Sequence, residues 1–140
     1  MVRDNVRELR SRGPESEKIT INLGHVDLGQ IDLLVEEGFY SNRTDFIRTA
    51  IRNQIERHAE VVRKAVTRQS LDLGLRTLTR DELEATRAAG EQLELRVLGL
   101  LTIAPDVPAK LARATIASIT VLGTLHASAE VKDALADRIH

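Results

Sequence analysis

Between Lys18 and Leu23 the chain alternates strictly, with Lys18, Thr20 and Asn22 on one side and Ile19, Ile21 and Leu23 on the other. A period of two with β-branched residues predicts a half-buried strand. After Gly24-His25 the period lengthens. Leu28, Ile31, Leu34 and Val35 fall on one stripe of a helix that starts near Asp27. Gly29 inside it costs about 1 kcal/mol relative to Ala, so this helix depends on tertiary packing. Gly38 stands where a terminating glycine belongs. Ser41 is the expected N-cap of a second helix, with Asp45 in its first turn at the positive end of the dipole. Phe46, Ile47, Ala50, Ile51 and Ile55 form its apolar stripe, while Arg43, Arg48 and Arg52 lie off it. The pattern runs on through Val61 and Val66 to Arg68, which predicts a long connecting helix and a boundary over residues 69–72.

The second half carries an internal repeat. Val97-Leu98-Gly99-Leu100-Leu101 can be laid over Val121-Leu122-Gly123-Thr124-Leu125, with Leu111 falling on Leu135 and Asp106 on Glu130. Leu73-Gly74-Leu75, followed by Thr77 and Asp81, is a fainter third copy. A period of about 24 residues is in the range of repeat architectures. Each unit reads as a short strand, a turn, and a short helix or coil. The expected organisation is a charged arm over 1–16, a strand-and-two-helix domain over 17–68, and a repeat-containing domain over 70–140. The fold class is therefore α+β.

Composition narrows this picture. The chain is 42% hydrophobic but only 2% aromatic, so its core is built from Leu, Ile, Val and Ala. With no cysteine there is no disulfide framework and no thiolate metal site. No apolar run reaches the roughly 18 residues of a membrane span, and MVRDNVRELRSRG lacks the apolar centre of a secretory signal. A soluble, cytoplasmic protein without membrane contact is expected. The net charge of −1 decides nothing, because its distribution is uneven. Arg3, Arg7, Arg10 and Arg12 crowd the arm, whereas Asp27, Asp32, Glu36 and Glu37 cluster on the first helix.

One strand of six residues is not stable alone, and residues 17–58 make a poor single core. Two chains that pair their strands and interlock their helices solve both problems. Ile19, Ile21 and Leu23 would then face the helices. Lys18, Thr20 and Asn22 of both chains would face outward. Lys can donate to guanine, Asn can pair with adenine, and a two-stranded ribbon fits the DNA major groove. The start of the second helix, Ser41-Asn42-Arg43-Thr44, offers backbone N–H groups, a dipole and a guanidinium to a phosphate. Read without that context, the same strand could sit in a larger sheet with its polar side in water, and Arg43 could be merely solvated.

Residues 17–58 resemble the ribbon-helix-helix family of DNA-binding proteins, the group that includes the Arc, MetJ and CopG repressors. The ITINL strand, the LLVEEGFYSNRTDFIRTAI stretch and their spacing carry the likeness. Gly24, where a proline is common, and Gly29 inside the first helix depart from it. The resemblance implies base reading by Lys18, Thr20 and Asn22, phosphate contacts by Ser41, Asn42 and Arg43, and a dimer core in which Phe46, Ile47 and Ile51, from residues 46–55, join Ile19, Ile21 and Leu23. Arg3 and Arg7 of the arm are expected to add further phosphate contacts. Nickel-responsive repressors of similar length need a histidine cluster and a cysteine in their second domain. Here that region holds only His126 and His140, so no metal or other cofactor is expected.

His25, His58, His126 and His140 are scattered, and no phosphate loop or nucleophile motif is present, so the chain is not expected to be an enzyme. Glu82, Glu84, Glu91 and Glu94 read as a solvated face. The leading expectation is a dimeric, sequence-specific transcriptional regulator bound to double-stranded DNA in the nucleoid, with residues 70–140 joining dimers into a higher oligomer or binding a protein partner. Two others remain: an antitoxin whose second half binds a toxin, and a self-assembling structural protein tethered to DNA.

Overall fold

The computed structural model describes residues 16–140, which form two compact units, one ending at Ala59 and one spanning Glu60–His140. Arg3, Arg7 and the rest of the arm before Ser16 lie outside the described residues.

The first unit contains α1 (His25–Glu36) and α2 (Arg43–Arg57). Gly24 is the N-cap of α1. At its other end Gly38 takes a φ of +88°, which favours glycine, and closes the helix. Its N–H donates to Val35 O, and that of Phe39 donates to Leu34 O, the paired bonds of a Schellman motif. Ile31 is buried and Leu28, Leu34 and Val35 are half-buried, while the remainder of α1 is exposed. Sequence periodicity had marked those same four positions.

Two expectations need correction here. Lys18–Leu23 forms no strand within the chain. A strand is held by its partner's hydrogen bonds, and the described residues of this unit supply only helices. Nor does the second helix run on to Arg68. It ends at Arg57, where His58 N–H turns back to Ile55 O in the tighter i→i−3 pattern that closes helices. A separate α3 follows over Ala59–Gln69.

The second unit continues with β1 (Asp72–Leu78), α4 (Arg80–Ala88), β2 (Leu93–Ile103), α5 (Ala109–Thr115), β3 (Ile116–His126) and α6 (Ala129–Ala134). A 3₁₀ turn over Ala136–Arg138 ends it. Thr79 caps α4 by accepting from Glu82 N–H, and Ser128 caps α6 by accepting from Val131 N–H. The strands are parallel, in the order β1-β2-β3. Parallel strands laid down in sequential order with right-handed crossovers place every connecting helix on one face. Leu83, Leu111, Ala112, Val131 and Leu135 from that helical layer meet Leu78, Leu95, Val97, Leu101 and Ile119 from the sheet to form the core. The other sheet face carries Leu73, Leu75 and Leu122, all exposed, and Leu98 and Leu100, both half-buried.

The sequence repeat is the register of this sheet. Leu73, Leu98 and Leu122 align, as do Gly74, Gly99 and Gly123. All three glycines have φ between +121° and +140°. A Cβ on Gly99 would lie 2.1 Å from Gly74 O, and one on Gly123 would lie 2.1 Å from Gly99 O. Only glycine lets the strands close at this row. At the far end Arg113 pairs with Asp137 at 2.8 Å and also donates to Ala134 O, while Arg138 donates to Ile116 O, which pins the last turn to the start of β3.

Gly99→Ala is expected to cost several kcal/mol, because backbone strain of about 1–3 kcal/mol adds to a collision with a carbonyl. Gly74→Ala meets nothing within 4 Å in its own chain and, in protein too dilute to assemble, should show the strain alone. Chemical denaturation of both variants checks this. Equal losses would contradict the close approach as the cause.

Candidate nucleic-acid interface

In residues 18–23, before α1, apolar and polar side chains alike are exposed. Ile19 is 74% and Ile21 57% exposed, and Leu23 is also exposed. Lys18, Thr20 and Asn22 are exposed as well. Ile21 and Leu23 border a groove of about 380 Å³ whose other walls include Ile31 and Leu34 from α1 and Phe46 and Ile47 from α2. Phe46 is fixed there by an edge-on contact with Tyr40, with ring centroids 5.0 Å apart. Ile51 and Ile55 extend the apolar surface along α2 and are exposed. Among the described residues of this unit, Ile31 is the one buried hydrophobic side chain.

The start of α2 differs in detail from its expected form. Asn42, not Ser41, is the N-cap, and its Oδ1 accepts from Asp45 N–H at 2.8 Å. The Asp45 carboxylate in turn accepts from Ser41 N–H at 2.9 Å. This is a variant of the reciprocal capping box, displaced one residue outward on its return bond. Ser41 and Asn42 were both in the expected set, and Asn42 takes the cap. The N–H groups of Arg43 and Thr44, in the first helical turn, have no acceptor within the helix.

Arg43 is also engaged. Its Nε and Nη2 donate to the two carboxylate oxygens of Asp32, both at 2.8 Å, in a bidentate pair that braces α2 against α1. The hydrogen bonds and charge of Arg43 hold Asp32 below the ordinary carboxylate range and raise the guanidinium in turn. Both side chains stay about half exposed, so water and other anions can reach the pair. Two residues the sequence reading left aside lie closer to the reading segment. Arg48 and Arg52 share with Lys18, Ile19 and Thr44 a broad hollow along α2. Their i, i+4 spacing on the polar side of α2 was a signal that could have found them.

A family model for ribbon-helix-helix transcriptional regulators matches residues 14–132. The chain belongs to that family. Membership makes it a DNA-binding transcriptional regulator and not an enzyme. The matched stretch runs beyond the two helices of the first unit and takes in all three strands of the second. No curated protein and no solved structure matches the chain. Among the described residues no helix is long and apolar enough to cross a membrane, and no His, Cys, Asp and Glu group could hold a metal ion.

The Asp32–Arg43 pair predicts a pH effect of known sign. A carboxylate depressed in the folded state contributes fully above its ordinary value of about 3.9, and the contribution fades as pH falls through the folded value. Asp32→Asn should therefore flatten the acid limb of stability, read as urea midpoints at about pH 6 and about pH 3. An unchanged acid limb would mean that the pair does not hold in solution.

Proposed function

We propose that two chains pair their Lys18–Leu23 segments antiparallel, and that the resulting ribbon enters the DNA major groove to read sequence. The uncovered apolar face of the first unit carries this reading. Ile19, Ile21 and Leu23, with Phe46, Ile47 and Ile51 beside them, need a cover of their own chemistry, and a second copy of the same face supplies it. In that pairing the outward side chains are Lys18, Thr20 and Asn22 of each chain, all with groups that suit base edges.

Phosphate contacts fall to the first turn of α2. The N–H groups of Arg43 and Thr44 face outward from a capped helix start, and Ser41 and Asn42 hold that start in shape. Arg43 could reach a phosphate only by exchanging Asp32 for it, whereas Arg48 needs no such exchange. Arg3 and Arg7 would add electrostatic reach. The regulator would then act in the cytoplasm, on the nucleoid. Residues 70–140 serve in this reading to link DNA-bound dimers.

The antitoxin alternative fits less well, because a toxin-binding tail often folds only on its partner. The second unit already buries Leu78, Leu83, Leu101, Ile116, Ile119 and Leu135 completely. A self-assembling tether shares the DNA-binding half and differs only in lacking sequence preference.

Selection of bound DNA from a random pool separates these readings. Asn22→Ala should change the preferred sequence, with discrimination at the affected position falling by about 1–3 kcal/mol. Arg48→Ala should weaken all sequences alike and lower the salt slope by about one. Asp32→Asn, which releases Arg43, should leave preference intact and strengthen binding to all sequences alike. Binding without any preferred sequence would favour the tether. Independently, in protein too dilute for the second units to link, Ile21→Glu should turn dimers into monomers by light scattering and abolish DNA binding; a dimer that still binds would remove the ribbon.

A further inference from the structure

Among the described residues, β1 and β3 stand at the two edges of the second unit's sheet, and no strand pairs with the outer edge of β1. On the outer edge of β3, His140 N–H donates to Ile119 O at 2.8 Å and Ile139 bridges Ile119 in parallel. That edge of β3 therefore already accepts a parallel strand, and among the described residues no strand pairs with it beyond Ile119. β1 has 7 residues where β2 and β3 have 11. It starts at Asp72, opposite Val97, which itself stands opposite Val121. A second copy's β1 laid on β3 in β2's register would thus run from Val121 to His126 and beyond, past the place that Ile139 holds. The short strand fits the open part of the edge.

The glycine row points the same way. Gly99 and Gly123 are explained by the carbonyl of the preceding strand, 2.1 Å from where a Cβ would be. Gly74 has the same positive φ, yet nothing lies within 4 Å of its missing Cβ. In the added register, Gly123 of another copy would stand in that space. The exposed Leu73 would then lie beside Leu122, which is also exposed, and Thr77 beside His126. Neither Asp72–Leu78 nor Thr120–His126 contains a lysine or a proline, residues that commonly block such edges.

We infer that the second units assemble head to tail, β1 of one copy adding in parallel to β3 of the next. This rests on the reading that residues 70–140 link dimers, and it names the surface. The contact joins two different edges, so it does not close on a pair but continues as an open array. Adjacent dimers on DNA would be joined sheet to sheet, not through the leucine face.

The cysteine-free full chain allows a direct test. Leu73→Cys and Leu122→Cys are introduced singly and together, and treated with a bis-methanethiosulfonate linker carrying a one-carbon spacer. In one chain the two positions are separated by the whole width of β2, about 10 Å. In the array they are neighbours at about 5 Å. The double variant should give a covalent ladder beyond the dimer, a mixture of the two single variants covalent dimers only, and either single variant alone none. Gly74→Ala, checked for its fold by circular dichroism, should weaken assembly at least about tenfold. Covalent dimers from Leu73→Cys alone would show face-to-face packing and overturn the proposal. A wild-type chain that assembles beyond dimers while the double variant gives no ladder would also overturn it, but would leave the linking role intact. A wild-type chain that stays a plain dimer would remove the linking role together with the proposal.

Discussion

Burial of the first unit's apolar stripe is the constraint on which the rest depends. Ile19, Ile21 and Leu23 precede α1 as a bare apolar row, and Ile51 and Ile55 continue it on α2. Ile31 alone is buried among the described residues there, and hydrophobic burial is the dominant stabilising term in a fold. In the proposed pairing the polar groups that suit DNA lie on the back of the row that needs covering. In the proposed dimer, covering the row and presenting Lys18, Thr20 and Asn22 are therefore one event, so folding, pairing and DNA recognition cannot be separated. Within each chain the Asp32–Arg43 pair ties α2 to α1, and the Asn42–Asp45 cap shapes the start of α2.

The second unit meets the opposite condition. Its helical side is complete, with Leu78, Leu83, Leu101 and Leu135 fully buried. On the sheet's other face Leu73, Leu75 and Leu122 stay exposed, and among the described residues no helix covers that face. Sequential parallel strands leave it uncovered by geometry, because every crossover helix goes to the same side. The glycine row makes this arrangement repeatable, since each strand meets its neighbour through the same Cα-to-carbonyl approach. A structure built from a repeat has no intrinsic last strand, which is why such folds need caps. Among the described residues, Ile139 and His140 cover the start of β3.

Much of this was legible in the sequence, for definite reasons. The α1 stripe follows from a 3.6-residue period, and the buried and half-buried positions are Leu28, Ile31, Leu34 and Val35. The repeat was visible because parallel strands in one register demand the same residue types at the same places, glycine above all. The exchange of Ser41 for Asn42 at the cap was not visible, since either side chain can accept from a first-turn N–H. Nor was the engagement of Arg43, because Asp32 lies on another helix and no local spacing links the two. The break at His58 has no proline or glycine to announce it. The strand at Lys18–Leu23 was read from alternation, but alternation states only which side is apolar; hydrogen bonds to a partner make a strand.

The central claim is that this segment pairs with its own copy. Nuclear magnetic resonance of a mixed dimer, one chain carbon-13 labelled and the other unlabelled, addresses it directly. The account predicts filtered interchain contacts between residues 18–23 of the two chains, in an antiparallel pattern, with amides there protected from exchange. A protein in which those contacts are absent and the segment exchanges freely, with or without DNA, would contradict it.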